Sequence, residues 1–353
     1  MNIGQYFAIE GQEVSCERYG SGHINETYLL RTNAPHDYIL QKINHHIFQN
    51  VPQLMENIAS VTRWLAREDK DPRHVLTIVK TQDGKDFYKS EAGEYWRVYE
   101  FVTGSLCLDR AQTREDFYQS AVAFGQFQRR LSAFPADTLA EIIPHFHDTP
   151  SRYAALHEAV RKDALGRAAS VQEEIGFCMA REEEAGTMMR LMKNGELPLR
   201  VTHNDTKLNN VLLDEKTREP LCVIDLDTVM PGLAANDFGD SIRFGASTAA
   251  EDEKDLSKVE MSLDLFEAYC EGFLGACGKS LTKKEIETLP MGAKLMTLEC
   301  GVRFLTDYLS GDTYFRIHYP DHNLDRCRTQ FKLVSDMEKK WAQMNAVVSK
   351  KAP

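Results

Sequence analysis

The chain has 353 residues, of which 42% are hydrophobic and 27% are charged, so it can form two globular domains or one domain of two lobes. Its 53 acidic and 42 basic residues give a formal net charge of −11. Composition and charge exclude a disordered chain, and the lack of a long Lys or Arg run argues against nucleic acid as a partner.

Targeting and membrane segments are not expected either. The first residues, MNIGQY, have neither a basic segment nor an apolar core, and no stretch approaches the roughly 20 apolar residues of a membrane span. The eight cysteines form no CxxC pair and are typical of reduced, buried cysteines, although their even number leaves disulfides as an alternative. We expect a cytoplasmic protein without a membrane partner. The sequence leaves its oligomeric state open.

Residues 1–103 are predicted to form an N-terminal lobe that binds nucleotide. Short alternating apolar runs, such as residues 75–79, predict an antiparallel sheet. Asp83-Gly84 lies between two such runs and favours a two-residue hairpin turn. One helix is predicted to begin near Pro52, whose fixed φ suits a first helical turn. Its apolar positions are Leu54, Ile58, Val61 and Leu65.

Residues 104–353 are predicted to form a second, mainly helical lobe, because the hydrophobic period changes after Gly104. Residues 114–131 place their apolar side chains on one helical stripe. Further helices are predicted at residues 152–165, 170–194, 256–276, 284–310 and 323–345. Residues 197–228 are the extended part of this lobe.

The most informative segment is the polar loop HNDTKLNN at residues 203–210, between two short apolar runs. It contains Asp205, Lys207 and Asn210, and Asp225 ends the next apolar run. Phosphoryl transfer requires a carboxylate at the attacking hydroxyl, an ammonium at the phosphoryl group, and an amide plus a second carboxylate for Mg²⁺. The alternative is that the acidic and amide side chains only cap turns.

The order of these residues resembles the catalytic loop and the metal-binding aspartate of protein kinases. It is also similar to that of the small-molecule kinases of the aminoglycoside phosphotransferase and choline kinase superfamily. The resemblance implies an α+β, bilobal protein-kinase-like fold, with an antiparallel-sheet N-lobe carrying one main helix and a mainly helical C-lobe. It also implies ATP as co-substrate, Asp205 as general base with Lys207 beside it, and Asn210 and Asp225 as Mg²⁺ ligands.

A glycine turn is the first candidate for nucleotide binding in the N-lobe. Gly20, Ser21 and Gly22 stand in YGSGHINETYLL and could cover the phosphates. The segment departs from GxGxxG, since Asn25 stands where a third glycine would be, and a plain hairpin turn explains the glycines equally well.

Lys42 in YILQKIN is the candidate lysine for the α- and β-phosphates. Glu56 on the following helix is either its partner or part of a solvated helix face. Gln41 points the other way along a strand, so the sequence leaves open which of the two faces the phosphates. Glu100 and Val102 lie in a segment that resembles a kinase hinge, whose backbone groups would face adenine.

Five blocks resemble the N-acetylhexosamine 1-kinases. They are YGSGHINETY, YILQKIN, HNDTKLNNVLLD, CVIDLDTVMPGLAANDFGDSIRFGA and RFLTDYLSGDTYF. The resemblance implies transfer of the ATP γ-phosphoryl group to the anomeric hydroxyl of GlcNAc or GalNAc. It implies substrate binding by Arg303 and Tyr314, for which a surface ion pair of Arg303 is the alternative.

Three further aspartates in these blocks have two interpretations each. Asp227 is a candidate for sugar or metal binding, with a structural hydrogen bond as the alternative. Asp237 and Asp240 have the same two interpretations, and the position of Asp240 before Ser241 favours a structural role in satisfying free N–H groups at a helix start. The alternatives for the whole chain are a kinase of an aminoglycoside or another small alcohol, and a non-catalytic pseudokinase that binds nucleotide.

Overall fold

The N-lobe is built on one antiparallel sheet. The computed structural model describes residues 3–20, 22, 24–67, 69 and 71–353. The N-lobe elements are β1 (Glu13–Arg18), β2 (Glu26–Thr32), β3 (Tyr38–Ile43), α1 (Val51–Leu65), β4 (Ile78–Val79), β5 (Tyr88–Lys89) and β6 (Tyr95–Glu100). The strand order is β1-β2-β3-β6-β4, and β5 also pairs with β6. The predicted antiparallel sheet is confirmed.

Helix α1 has the predicted position. The Asn50 side chain accepts a hydrogen bond from the Gln53 N–H, and Pro52 lies in the first turn, so an orphan N–H group is satisfied where the helix begins. Its buried positions include Leu54, Ile58, Val61 and Leu65. These side chains pack against β3 and β6 and also against the second lobe, so α1 helps to fix one lobe against the other.

The turn at Asp83-Gly84 is confirmed, but the predicted strand pairing is wrong. Gly84 has φ +83°, and the Thr81 N–H donates to the Lys85 carbonyl at 2.8 Å. However, β4 and β5 each pair with β6 and not with each other. The Asp-Gly motif specifies only where the chain reverses. The pairing depends on β6, which binds both β4 and β5 and so keeps them from pairing with each other.

The second lobe is mainly helical, as predicted. Its elements in chain order are β7 (Ser105–Cys107), α2 (Arg114–Arg130), α3 (Thr149–Lys162), α4 (Gln172–Met179), α5 (Glu182–Ala185), α6 (Thr187–Lys193), β8 (Arg200–Thr202), β9 (Val211–Asp214), β10 (Pro220–Val223), β11 (Met230–Gly232), α7 (Ala234–Gly245), α8 (Leu263–Cys277), α9 (Lys283–Glu287), α10 (Leu289–Ser310), α11 (His322–Lys339) and α12 (Trp341–Lys351). The helix predicted at residues 170–194 is three short helices, and α7 was not predicted.

The largest apolar core lies in this lobe, with α2, α7, α8 and α10 as main contributors. Helices α7 and α10 approach closely, because Gly239 faces the backbone carbonyl of Gly292, and an added Cβ would collide with it. Strand β7 pairs with β9, and β9 pairs with β10. This packing fixes the loops at the ends of β8 and β10. Within the described ranges, no helix combines the length and apolar character needed to cross a membrane.

Candidate active site

The polar loop between β8 and β9 brings three predicted residues together. The Lys207 Nζ lies 2.8 Å from Asp205 Oδ1. The Asn210 Nδ2 donates to the Asp205 carbonyl at 2.8 Å and to Asp205 Oδ2 at 3.1 Å. Burial would lower the pKa of Lys207, but Asp205 and Asp240 raise it, so the ammonium stays charged. The Asp205 carboxylate is therefore held in one orientation while 29% of its side-chain surface stays exposed.

Two aspartates of helix α7 accept hydrogen bonds from the backbone of this loop. The two Asp237 oxygens accept from the His203 N–H at 2.9 Å and from the Asn204 N–H at 2.8 Å. Asp240 Oδ2 accepts from the Thr206 N–H at 3.0 Å. Asp240 lies inside α7, so the expected position at the start of a helix is wrong. It satisfies one N–H group of the polar loop instead.

His203 has a structural role. It is fully buried, and its Nε2 lies 2.8 Å from the Ile224 carbonyl. This contact connects the polar loop to the segment that follows β10, next to Asp225.

Asp225 follows β10 in a left-handed conformation with φ +57°. Its side chain is exposed to the cleft, and within the part of the chain that the structure describes its carboxylate has no hydrogen-bond donor. Desolvation by the surrounding protein raises its pKa, and so does repulsion from the carboxylates of Asp227 and Asp205. Together they bring the pKa of Asp225 to about 7. A carboxylate under this repulsion favours a cation beside it.

The donor set around Asp225 fits Mg²⁺. The Nδ2 of Asn210 is used by Asp205, which leaves the amide oxygen as a ligand atom. Among the described residues, no three His, Cys, Asp or Glu side chains surround one point. One carboxylate and one amide oxygen match the way Mg²⁺ is bound in kinases, where water and substrate phosphates supply the other ligands.

Asp227 is engaged in a buried ion pair. Arg97 of β6 donates from Nη1 to one carboxylate oxygen and from Nη2 to the other, the latter at 2.9 Å. Asn25 Nδ2 donates to Oδ2 at 2.5 Å. The side chains of Arg97 and Asp227 are 1% and 4% exposed. These contacts support the structural interpretation of Asp227 and leave its carboxylate no free side for a sugar.

Gln41 faces the cleft, and Lys42 does not. Arg97 Nε donates to Gln41 Oε1 at 2.9 Å, and Gln41 Nε2 donates to Thr27 Oγ1 at 2.9 Å. Lys42 is on the opposite face, because side chains alternate along a strand. Its Nζ lies 2.5 Å from Glu94.

Of the two interpretations of Glu56, the solvated helix face is confirmed and the pair with Lys42 is not formed. Glu56 contacts Arg63 at 3.2 Å instead, on an exposed face of α1. Gln41, Arg97 and Asp227 lie on the sheet face that meets the cleft. Lys42 lies on the opposite face with Glu94, so the structure does not place it towards the cleft. The alternation of side chains along a strand shows that Gln41 and Lys42 lie on opposite faces, but it does not show which face meets the cleft.

The glycine turn joins β1 to β2. Gly20 has φ +75°, which an L side chain rarely adopts, and an added Cβ on Gly22 would meet no atom within 4 Å. Ser21 lies outside the described residues. Asn25 at the end of the turn accepts from the Asn44 N–H at 3.0 Å besides donating to Asp227. The turn is therefore anchored at the base of the cleft.

The predicted hinge segment connects β6 to β7. Glu100 is exposed, and its N–H donates to the Thr77 carbonyl at 3.0 Å. Val102 is buried against Leu221 and Cys222, with Leu212 and Ile224 among the partly buried neighbours. These apolar side chains lie between the hinge segment and β10, the strand that precedes Asp225.

The structure brings Arg303 of α10 and Tyr314 together. The Arg303 Nη2 lies 3.4 Å from the Tyr314 hydroxyl, and Tyr314 is 68% exposed. The guanidinium lies 5.7 Å from the centre of the Phe146 ring. No described carboxylate forms an ion pair with Arg303, which removes the alternative of a surface ion pair.

Sequence reasoning missed Arg97 as part of this site, and it noted Asn25 only as a departure from GxGxxG. The one available indication was a charged residue in the middle of the apolar strand YWRVYE. A buried arginine requires a carboxylate, but the sequence does not show which of the many aspartates pairs with it.

A profile of the phosphotransferase enzyme family (APH) matches residues 15–270. The chain is similar to the microcompartment-associated aminopropanol kinase, with 17% identity, a TM-score of 0.62, and 97% of this chain and 98% of that chain covered. It is similar to an aminoglycoside phosphotransferase from Alicyclobacillus acidocaldarius, with 13% identity, a TM-score of 0.65, and coverage of 98% and 95%. For a choline kinase from Cryptosporidium parvum the identity is 14%, the TM-score 0.57 and the coverage 98% and 94%. At these identities the structures support the fold.

Proposed function

Because this chain belongs to the phosphotransferase enzyme family, we propose that it is a Mg²⁺-dependent kinase that transfers the ATP γ-phosphoryl group to the anomeric hydroxyl of an N-acetylhexosamine. The observation that carries the proposal is the Asp205 carboxylate, which Lys207 and Asn210 hold in place near enough to the carboxylate of Asp225 for the two charges to interact. Each of these groups has a role in phosphoryl transfer.

Asp205 orients the sugar hydroxyl and takes its proton. A hemiacetal hydroxyl is more acidic than an ordinary alcohol, so a carboxylate can accept the proton late in a loose transition state. The Lys207 ammonium, next to Asp205, neutralises charge on the moving phosphoryl group. Asn210 and Asp225 would hold Mg²⁺, which supplies positive charge to the β- and γ-phosphates. Adenine would lie at the hinge, against Val102.

The charges on the acceptor side support a neutral sugar over a polycationic aminoglycoside. The guanidinium groups of Arg152 and Arg303 form no ion pair with any described carboxylate. Burial and the positive charge of Arg303 lower the pKa of Arg152. Of the nearby acids, Asp240 is paired with Arg243, and Glu299 binds His147 and interacts electrostatically with both arginines. Two arginines without a direct ion pair disfavour a polycationic substrate, whereas a sugar with an acetamido carbonyl can accept hydrogen bonds from them.

A kinase of an aminoglycoside or of another small alcohol is the second candidate. The similar structures named for aminopropanol, aminoglycosides and choline favour it, since they have the same fold. A pseudokinase is disfavoured, because the four groups that the reaction requires are all present.

The proposed location is cytoplasmic, where ATP is available. All eight cysteines are free, which suits a reducing compartment.

The experiment that tests the proposal measures ADP release with ATP and Mg²⁺ against a panel of free sugars, with kanamycin, choline and 1-amino-2-propanol as further acceptors. We expect turnover with GlcNAc or GalNAc, and none with 1-O-methyl-GlcNAc, whose anomeric oxygen is blocked. Turnover with the blocked sugar, or only with the amino alcohols or kanamycin, would overturn the assignment of the acceptor.

A further inference from the structure

His147 is held by a buried carboxylate just before α3. Its Nδ1 lies 3.0 Å from Glu299 Oε1, and the Thr149 hydroxyl donates to Glu299 Oε2 at 2.7 Å. The Glu299 side chain is 2% exposed. Burial would raise the pKa of Glu299, but His147 and Arg303 lower it. An ionised carboxylate only accepts hydrogen bonds, so Nδ1 of His147 carries the proton.

The other ring nitrogen of His147 has no partner. His147 Nε2 and Arg152 Nε are buried and make no hydrogen bond within the described part of the chain. In the neutral ring with a protonated Nδ1, Nε2 is an acceptor. A buried acceptor without a donor is unfavourable, so native structures usually supply a donor from protein, water or ligand.

The position of His147 places this acceptor beside Arg303. The His147 ring contacts the Phe146 ring, with 4.6 Å between centroids, and the Arg303 guanidinium lies over the same Phe146 ring. Glu299 and Arg303 are one turn apart on α10. His147, Arg303 and Tyr314 therefore belong to one polar cluster, which we call the acceptor cluster.

The acceptor cluster lies next to the catalytic loop. Upstream of His147, the Ile142 and Ile143 N–H groups donate to Met230 Sδ, so this segment runs along the chain that follows Asp225. Burial raises the pKa of Asp240, while Arg243, Lys207 and His147 lower it. His147 is therefore within electrostatic range of the carboxylate that binds the Thr206 N–H.

We propose that His147 is a specificity-determining residue of the acceptor site, where its Nε2 accepts a hydrogen bond from a ring hydroxyl of the hexosamine away from the anomeric carbon. Glu299 is the positioning residue that fixes the orientation and the tautomer of the ring. The inference rests on the proposed sugar kinase function and adds one contact that neither the sequence blocks nor the catalytic loop indicated.

The test is a double-mutant cycle between the protein and the sugar. His147→Asn keeps a donor at the position of Nδ1 for Glu299 and removes the acceptor at Nε2. Its kcat/KM is measured with GlcNAc and with its 3-deoxy, 4-deoxy and 6-deoxy analogues. We expect a roughly 3- to 10-fold loss with GlcNAc, mainly through KM. We also expect equal values for variant and wild type with the one analogue that lacks the bonded hydroxyl.

His145→Asn is the matched control, since His145 is 67% exposed in the same segment, and it should behave as wild type with every sugar. An equal loss with all four sugars would assign His147 a purely structural role and overturn the inference, as would unchanged kinetics in His147→Asn. If the wild type phosphorylates no N-acetylhexosamine, the proposed function fails, and this is visible before any variant is compared.

Discussion

The buried pair of Arg97 and Asp227 gives the sharpest prediction about stability. Both carboxylate oxygens are bonded to the guanidinium, and the side chains are 1% and 4% exposed. Burial opposes the charge of Arg97, but Asp227 raises its pKa, so the pair is ionic. In Arg97→Met the Asp227 carboxylate stays buried with Asn25 as its remaining side-chain donor. Breaking a buried pair in this way costs about 3–5 kcal/mol.

The assay is urea unfolding followed by tryptophan fluorescence. Arg97→Met should lower the free energy of unfolding by about 3–5 kcal/mol, and Asp227→Asn in the same chain should recover part of the loss, because an amide needs no opposite charge. Arg63→Met is the control. Arg63 pairs with Glu56 on an exposed face, and such pairs contribute about 0–1 kcal/mol.

Two results would refute the reasoning about this pair. One is an Arg97→Met variant as stable as Arg63→Met. The other is a double variant in which the losses of Arg97→Met and Asp227→Asn simply add, since residues in one ion pair should show a coupling energy.

Three further predictions concern the catalytic loop, the metal and the helix packing. Asp205→Asn should lower kcat by about 10²- to 10⁴-fold with nearly unchanged calorimetric dissociation constants for ATP and sugar; unchanged turnover would remove Asp205 as the base. The pKa of Asp225 is raised to about 7, so protons compete with Mg²⁺ for its carboxylate as the pH falls below 7. The activation constant for Mg²⁺ should therefore rise about tenfold per pH unit below pH 7. An activation constant that stays the same between pH 5.5 and 8 would contradict this. Gly239→Ala should destabilise the fold by about 1–3 kcal/mol or more, because its Cβ meets the Gly292 carbonyl, whereas Gly275→Ala in α8, with open space around it, should be neutral or stabilising in the same unfolding assay.

The parts of the site that are close in sequence could be predicted. Asp205, Lys207 and Asn210 lie within six residues, so a single loop brings them together, and Asp225 ends the next hairpin. Helix α1 was also predictable, since its apolar spacing and its first-turn proline are local. In these segments the local pattern and the tertiary structure agree.

The parts that depend on long-range contacts could not be predicted. Arg97 meets Asp227 across 130 positions of the chain, and no local pattern selects that partner. Helix α7 contains two glycines, which weaken a helical pattern, yet here glycine allows the close approach to α10. The choice between Gln41 and Lys42 depends on which sheet face meets the second lobe.

The most direct test of the central claim is the identity of the phosphorylated atom. The product formed from GlcNAc, ATP and Mg²⁺ would be examined by two-dimensional ¹H–³¹P NMR. The proposed function predicts a new phosphomonoester whose phosphorus couples to the anomeric proton, with no such product in Asp205→Asn. Coupling to a proton on any other carbon, or release of inorganic phosphate alone, would contradict the claim that Asp205 activates the anomeric hydroxyl.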